Sequence, residues 1–217
     1  MEQQLNLNNR QNYTPRIVVA LAGLLVFCFV AFCVTTQRTE AFDTAVDYFA
    51  YGTRTAWTKA ILVPITYAGN WQFIVIVTAL LIVLPQTRKD IGLPMGATAL
   101  VSVVVYKMLK LSFARPRPDL DLRIIWAGGY SFPSGHSMNG LVCYGVLIFL
   151  IRRSCRNRRV ANWLTALLTI LILLIGWSRI FCGVHYVTDV IGGFSAGITM
   201  LMVATILIDR FYLKEKR

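Results

Sequence analysis

The chain has 217 residues, of which 56% are hydrophobic and only 15% charged. A soluble domain carries charges on about a quarter of its residues, and a chain this apolar is not disordered, so an integral membrane protein is the class that remains. The formal charge of +12 would suggest nucleic acid in a soluble protein. In a membrane protein it is assigned to topology and an anionic substrate, and no nucleic-acid partner is expected.

In chain order, the apolar run Ile17 to Val34 is about one crossing long. Its long polar lead and the absence of a small-residue cleavage site after it read as an uncleaved helix, not a signal peptide. Segment 37–67 is expected to be extracytoplasmic. In it Val46, Phe49 and Ala50 can form the apolar face of a short interfacial helix, while Ala60 to Tyr67 is too short to cross. This segment is expected to shape a lateral entrance for lipid. After Gly69, Asn70 and Trp71 comes the second expected span, Phe73 to Leu84, closed by Pro85. Leu93 to Leu111, Leu141 to Ile151 with its preceding turn, Trp163 to Trp177 and Val187 to Ile208 are the third to sixth. The expected fold is therefore all-α, a polytopic bundle of six transmembrane helices over residues 17–212. Short cytoplasmic tails, 1–16 and 213–217, are expected to flank it. With both termini inside, more than half of the 22 basic residues lie on the cytoplasmic side, including the run Arg152-Arg153-Ser154-Cys155-Arg156-Asn157-Arg158-Arg159. The cysteines Cys28, Cys33, Cys143, Cys155 and Cys182 are odd in number and mostly in apolar runs, so they form no disulfide framework.

Polar residues at membrane helix ends are costly and need a reason. Lys110 through Pro118 closes the third span, Pro133-Ser134-Gly135-His136 opens the fourth, and Ser178-Arg179, His185 and Asp189 lie between the fifth and sixth. The expected topology puts all three clusters on the outer face. Lys110, Arg117 and Arg179, with Arg115 as a candidate fourth, donate hydrogen bonds and never accept them, and arginine grips phosphate through two parallel bonds. Ser134 and the Gly135 N–H stand at a helix start, which favours an anion. Together these residues make a phosphate socket. The chain has only two histidines, His136 and His185, and both fall in these clusters. At i, i+4 spacing in a helix, His185 and Asp189 would share a face, and the carboxylate would fix the tautomer and leave the other ring nitrogen free to attack. His136 is then available as general acid. No residue set suits Mg²⁺ or Zn²⁺, so no metal or cofactor is expected, and the fixed cations would supply the charge. Asp119, Asp121 and Arg123 read as solvated loop residues. Gly192, Gly193 and Gly197 read as sites of close helix packing.

Lys110 with Arg117-Pro118, then Pro133-Ser134-Gly135-His136, then Ser178-Arg179 with His185 and Asp189 resembles the three-part signature of the type 2 phosphatidic acid phosphatase family. The signature occupies residues 110–189. The resemblance implies a metal-free membrane lipid phosphatase. In it His185 is the nucleophile that forms a phosphohistidine, Asp189 supports it, and His136 protonates the leaving oxygen. Lys110, Arg117, Ser134, Gly135 and Arg179 bind phosphate. The family also contains soluble vanadate-dependent haloperoxidases, an activity that this composition argues against. The short loop from Asp119 to Phe132 is similar to that of compact bacterial members, for which phosphatidylglycerophosphate, undecaprenyl pyrophosphate and phosphatidate are the expected substrates. A phosphotransferase using the same phosphohistidine, and a non-enzymatic membrane protein, are the alternatives.

Overall fold

The structure, a computed structural model, describes residues 12–213. The two expected tails fall largely outside the described residues. Among the described residues every regular element is helical. The helices are α1 (Thr14–Thr35), α2 (Glu40–Gly52), α3 (Ala56–Tyr67), α4 (Trp71–Val83), α5 (Leu93–Phe113), α6 (Gly135–Ser154), α7 (Arg158–Phe181) and α8 (Val187–Leu207). A π-helical turn, Arg88–Gly92, leads into α5, and another, Ile208–Tyr212, continues α8.

Helix α1 opens with a proline in its first turn, where a missing N–H costs nothing. Its buried residues Ala20, Gly23, Phe27, Val30 and Val34 recur every three or four positions and form one stripe. That stripe lies along α8, the most extensive helix pairing in the molecule. A side chain at Gly23 would stand 2.9 Å from the Thr199 hydroxyl and 3.0 Å from the Ser195 carbonyl oxygen, so the glycine sets how closely the two backbones approach. The opposite face turns Leu25 and Phe29 outward, as α5 and α7 do with Leu100, Leu111, Trp163 and Leu173. Apolar side chains of this size facing outward on several helices form a surface suited to lipid.

Four helical stretches among the described residues are long and apolar enough to cross a membrane, or five if α3 and α4 count as one broken span. These two short helices are bent by 56° at a corner between Tyr67 and Trp71. The expected second span, Phe73 to Leu84, is thus the second arm of a bent pair. Helix α6 is 20 residues long but does not qualify. Gly135, His136, Ser137, Asn139 and Gly140 dilute its first turns. Those turns pack on α8 and away from lipid.

Helix α2 forms where a short surface helix was expected, and it also buries an acidic side. Asp43, Asp47 and Ala50 are buried, whereas Phe49 is 66% exposed.

Two ties bracket the bundle. At one end the buried Asp209 carboxylate meets Arg16 of α1 at 2.6 Å and Arg153 of α6 at 2.5 Å. Both guanidinium groups lie over the Phe149 ring, at 5.1 and 5.4 Å. At the other end Phe132 stacks on Phe27 at 5.8 Å and meets Phe113 edge-on at 5.0 Å. This aromatic cluster holds the loop that delivers Ser134 to the start of α6.

Candidate active site

Three chain reversals assemble the site. Helix α5 ends at Ala114, whose left-handed conformation (φ 45°) lets its N–H bond the Lys110 carbonyl and turns the chain sharply. The turn sends Arg115 and Arg117 towards the ends of α7 and α8. Helix α7 carries Arg179 in its last turn, and the chain reverses at Gly183, where φ is +70° and any side chain would strike the Leu122 carbonyl oxygen. Only glycine serves there. Helix α6 begins on Ser134, whose hydroxyl accepts from Ser137 Oγ at 2.9 Å and from the Ser137 N–H. A side chain on Gly193 would lie 2.6 Å from the Ser134 carbonyl oxygen, and one on Gly197 3.1 Å from that of Met138. The two glycines thus serve close packing of α8 on α6.

His185 lies in the loop before α8, not on the helix. Asp189 reaches back to it from the first turn, 3.3 Å from Asp189 Oδ2 to His185 Nδ1. The same carboxylate oxygen accepts from Ser131 Oγ and, at 2.9 Å, from the Tyr186 N–H. On the other side of the ring, Arg117 Nη1 is 3.0 Å from His185 Nε2. A guanidinium can only donate. Nε2 therefore accepts, the proton resides on Nδ1 facing Asp189, and the Nε2 lone pair points at the cations. Burial pushes the imidazole well below its ordinary 6.5, and Arg117, Arg179 and Lys110 push the same way, so His185 is neutral at pH 7. Arg117 is itself fixed by the carbonyl oxygens of Gly128, Gly129 and Val184, at 3.0, 3.0 and 2.6 Å.

His136 stands at the start of α6, with the cations Arg179, Lys110 and Arg117 and the neutral His185 ring as neighbours. Its Nε2 lies 2.5 Å from Asn70 Oδ1, at the α3–α4 corner. A side chain on Gly69 would come within 2.9 Å of the His136 ring, so the corner is pressed against it. Arg179 is 4% exposed and donates from Nη1 to Thr66 Oγ1 at 2.6 Å, while its buried Nε has no hydrogen-bond partner among the described residues. An unsatisfied buried donor costs about 1–3 kcal/mol, which an anionic oxygen brought alongside would offset. Lys110 Nζ donates to Tyr106 Oη at 2.6 Å, and the Tyr106 ring stands 2.5 Å from where a Gly135 side chain would begin.

The eight expected site residues thus converge on one end of the bundle. Two other expectations are corrected. Arg115 is not a free fourth cation, because it is bound by Asp43 and Asp189, each at 2.7 Å. Arg123 is not a solvated loop residue, because it donates to the Pro118 carbonyl from Nε at 2.9 Å and to that of Ala127 from Nη1 at 3.3 Å. Sequence reasoning missed Asn70, Thr66, Tyr106, Ser131 and Asp43. Of these only Asn70 carried a signal, as part of the polar break before Trp71.

Comparison with known proteins adds the following. The family model "PAP2 superfamily" matches residues 91–212. The chain is 31% identical over 198 residues to the Bacillus subtilis protein named phosphatidylglycerophosphatase B, covering 89% of this chain and 94% of that one. It is 28% identical over 144 residues to the undecaprenyl-diphosphatase of Sulfolobus acidocaldarius, covering 64% and 65%. Among solved structures, the transmembrane PAP2-type phosphatidylglycerolphosphate phosphatase of Bacillus subtilis superposes with a TM-score of 0.78 at 28% identity, covering 88% of this chain and 96% of that one.

Proposed function

The chain belongs to the PAP2 superfamily, and from that premise we propose that it is a membrane lipid phosphatase working through a phosphohistidine on His185. The observation that carries the proposal is the orientation of His185. Its Nε2 lone pair faces Arg117 at 3.0 Å while Asp189 holds Nδ1.

In the proposed reaction a terminal lipid phosphate is bound by Lys110, Arg117 and Arg179, with the Ser134 hydroxyl and the Gly135 N–H completing the socket at the start of α6. His185 Nε2 attacks phosphorus. The bond to the lipid oxygen breaks, and that oxygen takes its proton from His136. The phosphorylated ring, cationic with Nδ1–H retained, is stabilised by Asp189. His136, now neutral, accepts a proton from water as it attacks the phosphohistidine, releasing inorganic phosphate and neutral His185. Three fixed cations supply the charge stabilisation that a metal supplies elsewhere. A bound phosphate dianion offsets two of these three positive charges, and that is the state in which His136 can carry the proton it hands over.

The proposed substrates are phosphatidylglycerophosphate, towards which the relative matching along most of the chain leans, and undecaprenyl pyrophosphate, from the next. In the proposed topology α1, the bent α3–α4 pair, α5, α6, α7 and α8 give six membrane elements. Both termini are cytoplasmic, the site faces the outer leaflet, and 37–67 flanks a lateral lipid entrance.

The test is phosphate release by the purified protein in detergent micelles containing EDTA, with phosphatidylglycerophosphate, undecaprenyl pyrophosphate and phosphatidate offered in parallel. Release is expected to survive EDTA and to vanish in His185→Ala. Release by the folded variant at the wild-type rate would overturn the assignment.

A further inference from the structure

Arg115 and Asp43 lie outside the phosphate socket, yet they form a densely bonded polar cluster. Arg115 Nη1 donates to Asp189 Oδ1 at 2.7 Å and to Thr188 Oγ1 at 2.9 Å. Its Nη2 donates to Asp43 Oδ2 at 2.7 Å and to Thr39 Oγ1 at 3.2 Å. One guanidinium therefore bridges two carboxylates. Asp43 is 1% exposed and Asp189 is fully buried. Asp43 Oδ1 also accepts from the Thr188 N–H at 3.0 Å and from its hydroxyl at 2.8 Å, so the carboxylate caps the first turn of α8 from a different helix. The Arg115 guanidinium lies 4.2 Å from the centre of the Tyr186 ring. Every polar hydrogen donor facing the two carboxylates is thus held in place.

The charge count makes the cluster more than a structural tie. Two carboxylates and one guanidinium leave a net charge of about −1 in a buried site, which costs several kcal/mol unless something offsets it. A neutral pair would join α2 to α8 more cheaply. The excess charge sits directly behind His185, because the second Asp189 oxygen faces His185 Nδ1. Phosphorylation of Nε2 makes that ring cationic. The carboxylate already held at hydrogen-bond distance then faces a full positive charge on the ring, which the resting enzyme does not present.

We propose that Asp43 and Arg115 are positioning residues for phosphoryl transfer, forming with Asp189 a carboxylate–guanidinium–carboxylate relay whose single net negative charge balances the phosphorylated His185. The proposal rests on the phosphohistidine reading above. Arg115 orients Asp189, and Asp43 cancels the arginine charge that would otherwise neutralise Asp189. Asp43 lies on α2, outside the residues matched by the family model, so the relay recruits a surface helix into the chemistry.

The experiment compares wild type, Asp43→Asn, Asp43→Glu, Arg115→Gln and the double variant Asp43→Asn/Arg115→Gln, all purified in detergent micelles. The readouts are kcat and KM on phosphatidylglycerophosphate, the Kd for inorganic phosphate, and the melting temperature. Asp43→Asn is expected to lower kcat about 10–100-fold, on the scale seen when the outer partner of a metal-bound histidine is removed. KM and the phosphate Kd should stay within about threefold, because the socket cations are untouched. Asp43→Glu should recover most of the rate. The double variant restores the net charge of −1, and its residual kcat should exceed the product of the two single residual fractions; because residues in contact also couple through stability, the coupling is expected in kcat beyond any seen in the melting temperature. An active wild type with Asp43→Asn at full kcat overturns the relay alone, as does a double variant whose losses simply multiply. A folded wild type that binds phosphate but releases none overturns the proposed function, and the relay with it.

Discussion

His185 owes its chemistry to its surroundings more than to its identity. It is 1% exposed, with a carboxylate behind it and a guanidinium in front. Because burial and then Arg117, Arg179 and Lys110 lower its pKa well below 6.5, the proposed nucleophile remains unprotonated into mildly acid solution. The kcat/KM profile reports ionisations of the free enzyme, so its acid limb due to His185 is expected below pH 6.5. A pH–rate series on phosphatidylglycerophosphate checks this, and an acid limb with its midpoint at 7 or above would contradict it. Arg179 makes a second residue-scale prediction. Its buried Nε and its Thr66-bound Nη1 belong to one rigid fork. Arg179→Lys keeps the charge but loses the fork. Loss of one hydrogen bond to a charged group, about 1.5–3 kcal/mol, predicts a fall of about 10–100-fold in kcat/KM, measured under the same conditions. The histidines, the three cations and Asp189 were legible because rare residue types recur at fixed short spacings. Asn70, Thr66 and Ser131 were not. Their partners lie 66, 113 and 58 positions away, and no local spacing encodes a contact that only packing creates.

At the scale of elements, the long helices α1, α5, α7 and α8 follow the apolar runs closely, since a run of that length has few other ways to satisfy its backbone in lipid. Helix α6 starts at Gly135, six positions before the apolar run at Leu141. Its polar first turns face protein, which hydropathy alone cannot distinguish from a loop. The buried acidic side of helix α2 was not legible, because an acidic residue on a short helix reads as solvated unless its partner is known. Asp47 carries a measurable consequence. It is buried, its Oδ1 lacks a partner among the described residues, and burial, reinforced by Asp43 and Asp189, raises its pKa from 3.8 to about 7. A carboxyl whose folded pKa is raised binds its proton more tightly when folded. The native state therefore loses stability as pH climbs from about 4 to about 7, and the loss is constant above that. Asp47→Asn removes the penalty. Melting curves in micelles should coincide with wild type near pH 4, diverge progressively in favour of the variant, and hold a constant gap from pH 7 upward. A gap that shrinks with rising pH would refute the assignment.

For the molecule as a whole, chemistry and cohesion are placed at opposite ends. The far end is closed by Asp209, which is 4% exposed, between Arg16 and Arg153. Both arginine side chains are about a third exposed, at 30% and 32%. Removing the carboxylate should therefore cost less than a fully buried pair and more than a surface one, about 1–3 kcal/mol. Asp209→Asn is expected to lower the melting temperature while leaving KM and kcat unchanged at temperatures where the variant is folded. A loss of kcat with an unaltered melting temperature would show that the two ends are coupled. The pairing that Asp209 anchors also bears on how the protein is made. Arg16 and Asp209 are 193 positions apart, and the α1 stripe of Ala20, Gly23, Phe27 and Val30 has α8 as its main cover. During synthesis α1 emerges well before α8, so its small-residue face must wait, unpaired in the membrane or shielded by other factors, until nearly all the helices have followed. Helix α1, made well before α8, is thus among the last of the described helices to be locked, and a nascent chain stalled before Val187 would hold the phosphate-socket residues without the seam that closes the bundle.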